Sequence, residues 1–231
     1  MRLDKYIQKL TGSGKSEARL RIARGDVCVE GEQIRDNLHE VAKLDRVEVR
    51  GIDTDLTKTE KRRYIMLNKP AGCVSATTDP EHETVIDLID TDYAESLHIA
   101  GRLDKESTGL IILTNDGQWS RRITEPVESV AKRYRVETEK EIAPATVVSF
   151  SEGFYFAYED ITTLPAELEI LGEKSAIVTI CEGKYHQIKR MFHAVGNRVV
   201  SLHRQSVGKL VMDKLAIGEY RELSKEEIAF F

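Results

Sequence analysis

The chain has 231 residues, of which 41% are hydrophobic and 32% charged, with a formal net charge of −5. That composition supports a packed core and excludes a disordered chain, and the bulk charge does not advertise a polyanion partner. No aliphatic run exceeds four residues, against the ~20 a membrane helix needs, and the start MRLDKYIQKL lacks the apolar region of a signal peptide. A soluble, cytoplasmic protein with no membrane partner is expected. Cys28, Cys73 and Cys181 are far apart and odd in number, so neither a disulfide framework nor a zinc ligand pair is expected.

Leu3, Ile7 and Leu10 recur at helical spacing. A second helix is expected from Ser16 to about Arg24, capped by Ser16 and stopped by Gly25. VCVEGEQI alternates around Glu30-Gly31, a hairpin signal, and RVEVR at 46–50 alternates again. Residues 1–51 read as one small domain, the polar stretch 52–62 as a linker, and 63–231 as a larger domain. In the latter, YIMLNKP is a strand stopped by its proline. IILTNDG is a strand followed by turn chemistry, and GQWSRRI a short helix closed before Pro126. KRYRVET alternates as a strand, and SAIVTIC is a buried one. YHQIKRMFHAV places Ile188, Met191, Phe192 and Val195 on one helical face, ended by Gly196-Asn197, and RVVSLH is a further strand. Many strands with few helices give an α+β fold with a mixed sheet.

TGSGKS at 11–16 lacks the glycine a phosphate loop needs at position 9, which is Lys9, and it follows a helix pattern rather than a strand. It reads as a helix–helix turn. The second helix carries Lys15, Arg19, Arg21 and Arg24 against one acid, Glu17, in a segment (1–60) with twelve basic and twelve acidic side chains. Such segregation suits phosphate-backbone binding, although a solvated helix face is the plainer reading. Residues 183–210 hold six basic side chains (Lys184, Lys189, Arg190, Arg198, Arg204 and Lys209) and no acid. A polyanion-facing surface is favoured there. His186 and His193 are two helical turns apart, too far for the usual metal clasp, so no metal is expected.

Residues 100–117, AGRLDKESTGLIILTNDG, set Arg102, Asp104 and Lys105 ahead of the aliphatic run Leu110–Leu113, between Gly101 and Gly109. Glycine there allows an unusual backbone angle or close approach of another strand. Arg102 and Asp104 face one side if the segment is extended. A loop acid paired with a neighbouring base and a catalytic carboxylate both remain open on these residues alone.

GRLDKESTGLIILTNDG resembles the catalytic motif of RNA pseudouridine synthases, G-R-L-D followed by S/T-x-G-L. YIMLNKPAGCVSATTD, AKRYRVE and EGKYHQIKRMFHAVGNRVVSLHR resemble three further segments of that family, in the same order. The first fifty residues resemble an S-four-type (ribosomal-protein-like) RNA-binding domain. MRLDKYI and the tail HRQSVGKLVMDKLAIGEYREL resemble the branch that acts on the bacterial small ribosomal subunit.

The resemblance implies a pseudouridine synthase fold with a mixed, mainly antiparallel sheet and flanking helices. It implies isomerisation of one uridine, number 516 in the 530 stem-loop of 16S rRNA, free or in an assembling subunit, by a monomer that needs no cofactor. Asp104 matches the nucleophile. Tyr134 matches the tyrosine that stacks on the target base and assists proton removal from C5. Lys189 matches the basic residue that pairs with the aspartate, and Arg102 the arginine that fills the gap left by a flipped uridine. Many relatives carry arginine at position 189; lysine there offers a point charge without the bidentate fork. Lys15, Arg19, Arg24, Lys184, Arg190 and Arg204 are expected to contact RNA. Two competing readings are a non-catalytic assembly factor of the same fold and a nucleoside glycosylase that would release free base.

Overall fold

A computed structural model of the chain describes residues 1–42, 45–52, 61–125, 130–212 and 214–231. The chain divides into two compact units, Met1–Arg62 and Arg63–Phe231. Residues 53–60 of the expected linker, and Pro126, expected to close a helix, lie outside the described residues.

In the first unit two helices, α1 (Leu3–Thr11) and α2 (Lys15–Arg24), precede three short strands, β1 (Val27–Val29), β2 (Glu32–Gln33) and β3 (Val47–Val49). The strands form an antiparallel sheet in the order β2-β1-β3. Leu3 and Ile7 of α1 and Ala18 and Ile22 of α2 are fully buried and pack with Val27, Val29, Val47 and Val49. The helical and alternating periods read in the sequence converge on this core. α2 starts one residue earlier than expected: its N-cap is Gly14, and Ser16 lies inside the first turn. The stop at Gly25 stands as expected, with its N–H bonded back to the Ile22 carbonyl.

The second unit is built on a single sheet. Its elements are β4 (Tyr64–Lys69), β5 (His98–Ile99), β6 (Thr108–Thr114), α3 (Gly117–Thr124), β7 (Lys132–Thr138), α4 (Thr146–Glu152), β8 (Tyr155–Phe156), β9 (Ile161–Thr162), β10 (Glu167–Gly172), β11 (Ser175–Ile180), α5 (Gln187–Ala194), β12 (Val199–Val207), β13 (Leu210–Val211), β14 (Tyr220–Glu222) and α6 (Lys225–Ile228). Among the described residues the main path is β10-β11-β7-β12-β6-β4-β14, with β13 on β12 and β5 on β6; β8 and β9 form a separate hairpin. β12 and β6 run parallel, and the other described pairs of the sheet are antiparallel. The mixed, mainly antiparallel sheet expected from the sequence is therefore present.

β6 lies inside the sheet, between β12 and β4. Leu110, Ile111, Ile112 and Leu113 are all fully buried, because both sheet faces are covered there. Ile111 and Leu113 join a core with Ile65, Leu67, Val85 and Leu97, while Leu110 and Ile112 join one with Met66, Trp119 and Val207. α5 packs Ile188, Met191 and Phe192 into a third core beside β7 and β11. Among the described residues, no helix is long and apolar enough to cross a membrane.

Candidate active site

The loop 100–107, which leads into β6, is held at almost every residue. At its start the Ala100 N–H donates to the Ile112 carbonyl at 2.8 Å. The hydroxyl of buried Ser75 donates to the Leu103 carbonyl at 2.8 Å and accepts from the Leu103 N–H at 3.0 Å. Lys69, at the end of β4, is fully buried, and its ammonium donates to the carbonyls of Pro70 (2.9 Å), Lys105 (3.0 Å) and Ser107 (2.8 Å). Burial pulls the Lys69 pKa below the usual lysine range. Asp104 is thus presented by clamped neighbours on both sides, which is what a positioned group needs.

Arg204 braces the same loop from β12. Its guanidinium donates to the carbonyls of Leu110 (2.7 Å), Gly101 (2.8 Å) and Arg102 (3.4 Å), and more weakly to the Tyr134 hydroxyl at 3.5 Å. Gly109 makes this possible. It pairs with Arg204 across the parallel β6–β12 contact, at φ +103°, and a Cβ there would lie 2.3 Å from the Arg204 carbonyl oxygen. Only glycine tolerates both that angle and that approach.

A pocket opens above this floor, lined by Arg102, Asp104, Tyr134, Lys184, His186 and Leu202 among others. Asp104 is the one carboxylate among its described lining residues. Its side chain is 24% exposed, with His186 Nε2 at 3.2 Å from Oδ1 and Lys189 Nζ at 3.6 Å from Oδ2. The two bases come from one stretch: His186 caps α5 with a left-handed φ of 49°, and Lys189 is one turn on. Tyr134 stands on β7 between Val178 and Arg204, its ring 6% exposed. The structure therefore brings Asp104, Tyr134 and Arg102 to one pocket, with Lys189 reaching the Asp104 carboxylate from α5, so that a loop, a strand and a helix remote in sequence meet there. The carboxylate is accessible, flanked by an imidazole and an ammonium, and shares its pocket with an aromatic ring. That arrangement suits nucleophilic attack on, or charge stabilisation at, an electrophilic carbon of a bound molecule.

The other cations expected to contact RNA divide. Lys184 lines the pocket mouth, 3.8 Å from Glu182, and Lys15 and Arg24 are exposed on α2. Arg19 is partly exposed but donates to Asp4 at 3.2 Å. Two expectations need correction. Arg204 is 1% exposed and bonded to backbone carbonyls, because β12 runs through the sheet interior; it supports the site and faces no solvent. Arg190 is committed to Glu159 through two bonds of 2.7 Å and stacks over Phe156 at 3.6 Å, so it latches the β8–β9 hairpin to α5. His186, which the sequence offers only as part of a basic segment and as half of a rejected metal clasp, is the site residue that sequence reasoning misses; its left-handed cap geometry, not a helical spacing, turns it to Asp104.

Comparison with known proteins bears on this pocket directly. A family model described as RNA pseudouridylate synthase matches residues 63–194. The chain belongs to the RNA pseudouridine synthase family. It is similar to proteins named ribosomal small subunit pseudouridine synthase A, at 47% identity over 230 residues in Pseudomonas aeruginosa and 44% in Escherichia coli K12, each covering 99% of both chains. A crystal structure of a pseudouridylate synthase matches with a TM-score of 0.73 and 39% identity, covering 99% of this chain and 98% of that one. The matched residues 63–194 contain the Asp104 loop, Tyr134 and Lys189, and every described residue lining the pocket except Leu202.

Proposed function

We propose that this synthase isomerises uridine to pseudouridine in small-subunit 16S rRNA, at uridine 516, with Asp104 as the nucleophile. The observation that carries the reading is the single pocket carboxylate held between His186 and Lys189, with Tyr134 in the same lining. The similarity to small-subunit synthases along the full chain supports the substrate.

In this reading the target uridine leaves its stack and enters the pocket, the cost being offset by contacts made there. Asp104 acts at the sugar C1′ as the N1–C1′ bond breaks. The freed uracil turns, C5 bonds to C1′, and the C5 proton departs. A covalent ester and a glycal are both compatible with a carboxylate at this place. Lys189 sets a positive charge beside the carboxylate; Tyr134 stacks on the base and takes part in proton transfer at C5. Arg102, exposed at the mouth, fills the gap in the RNA stack. Residues 1–51 act as an S-four-type RNA-binding domain through the α2 cations Lys15, Arg19 and Arg24, and the enzyme works as a monomer without cofactor.

The test uses a 530-loop hairpin RNA carrying 5-tritiated uridine at position 516. Isomerisation sends one tritium per hairpin to water and releases no free uracil. Free uracil would make the chain a glycosylase, and no tritium release with tight binding would leave it an assembly factor.

A further inference from the structure

The segment 182–186, between β11 and α5, carries a feature that the catalytic reading does not use. Tyr185 is 72% exposed, one residue from the His186 that meets Asp104. Its ring stacks on the His186 imidazole with centroids 4.0 Å apart and planes 17° from parallel. One face of the phenol is therefore covered and the other open to solvent. An isolated exposed tyrosine needs no explanation, but this one is held rigidly. Gln187, itself buried, donates to Glu182 at 2.7 Å and accepts from the Lys184 N–H at 2.9 Å, while its own N–H returns to the Lys184 carbonyl. Arg190 donates to the Tyr185 carbonyl at 3.3 Å while fixed to Glu159. The left-handed His186 sets the two rings face to face.

The surroundings suit a nucleic acid. Gly183, Lys184 and His186, the neighbours of Tyr185 along the chain, line the pocket, where Arg102 adds positive charge and Lys189 lies against Asp104. A uridine that enters the pocket deprives its neighbour in the RNA of a stacking partner. An aromatic face held one ring away from the catalytic carboxylate replaces that partner without reading the base's identity.

We propose that the open face of Tyr185 is a stacking site for the unpaired base adjacent to the target uridine. The proposal rests on the RNA-modifying reading above. It predicts that the substrate must offer a flexible, single-stranded neighbour, and that a neighbour locked in a duplex is a poor substrate.

The experiment uses the full chain and the 530-loop hairpin with 2-aminopurine on either side of uridine 516, read by fluorescence, alongside tritium release. With wild-type protein, one of the two positions is quenched on binding. Tyr185→Ala abolishes that quenching and raises the half-saturating RNA concentration about tenfold, whereas Tyr185→Phe and Tyr185→Trp retain both within about twofold. Retained affinity and quenching in Tyr185→Ala would overturn the proposal, as would equal losses in the phenylalanine variant, which keeps the ring. Tyr185-dependent quenching with a wild-type protein that releases no tritium would uphold the stacking site while refuting the isomerase reading.

Discussion

The tetrapeptide Arg-Leu-Asp-Lys occurs twice, at residues 2–5 and 102–105, and the two copies fold into different chemistry. In both the leucine is buried, Leu3 fully and Leu103 nearly so. In both the aspartate meets two nitrogen-bearing side chains, two arginines at Asp4 and a histidine and a lysine at Asp104. Asp4 opens a helix, is 1% exposed, and is gripped by Arg2 at 2.6 and 3.1 Å and by Arg19 at 3.2 Å. The Arg2 bond, aided by Arg19, holds its pKa below the usual carboxylate range. Asp104 sits in a clamped loop, 24% exposed, with the His186 imidazole at 3.2 Å and the Lys189 ammonium at 3.6 Å, and its own Arg102 turns outward to solvent. A carboxylate saturated by short guanidinium bonds fixes structure. One that is accessible, with looser basic neighbours and a rigid backbone, keeps lone pairs for a substrate.

The comparison is sharpest where the aspartate itself is removed. Asp104→Ala is expected to cut tritium release at least on the order of a thousandfold while leaving hairpin affinity within a few-fold, measured by filter binding. Asp4→Ala is expected to leave the saturating rate in place. Next in size is the support under the loop. Arg204→Met leaves the buried Leu110 carbonyl and the half-buried Gly101 and Arg102 carbonyls short of a donor, costing about 3 kcal/mol, read as a fall of roughly 6–12 °C in Tm. An unchanged Tm would show that the loop does not depend on this brace. Reversing charge on α2, with Lys15→Glu and Arg24→Glu, is expected to weaken hairpin binding in low salt and to lower the salt slope by about one per lost phosphate contact. An unaltered slope would remove the first unit from the RNA interface.

The smallest effect separates the copies by pH. Because the folded Asp4 pKa is depressed, its contribution to stability is complete above the ordinary carboxylate range and is lost as pH falls through the folded value. Asp4→Asn should therefore be less stable than wild type near neutrality and converge with it in acid. Parallel melting curves at all pH values would contradict the arginine pairing.

Much of the frame was legible because period and burial agree. The run at 110–113 is buried on both faces, and the Ile188, Met191 and Phe192 stripe packs as read. Short or shallow elements were not legible. β10 buries only Leu168 fully, so its alternation is faint, and β8, β9 and β13 are two residues each. At the site, motif resemblance named Asp104, Tyr134 and Lys189, whereas charge composition put Arg204 among the RNA contacts. That side chain belongs to an acid-free basic window, and its burial follows from the close β6–β12 contact at Gly109, which joins residues far apart in sequence. Charge composition cannot distinguish a solvent-facing arginine from one turned into a sheet.

The claim that one copy of the tetrapeptide is chemical rests on the carboxylate of Asp104 rather than on the shape of its side chain. The most direct measurement is single-turnover tritium release from the 530-loop hairpin by Asp104→Asn, with Asp4→Asn run in parallel. Asp104→Asn is predicted to bind the hairpin with wild-type affinity and release no tritium, while Asp4→Asn releases it at close to the wild-type rate. Tritium release by Asp104→Asn at the wild-type rate would contradict the assignment.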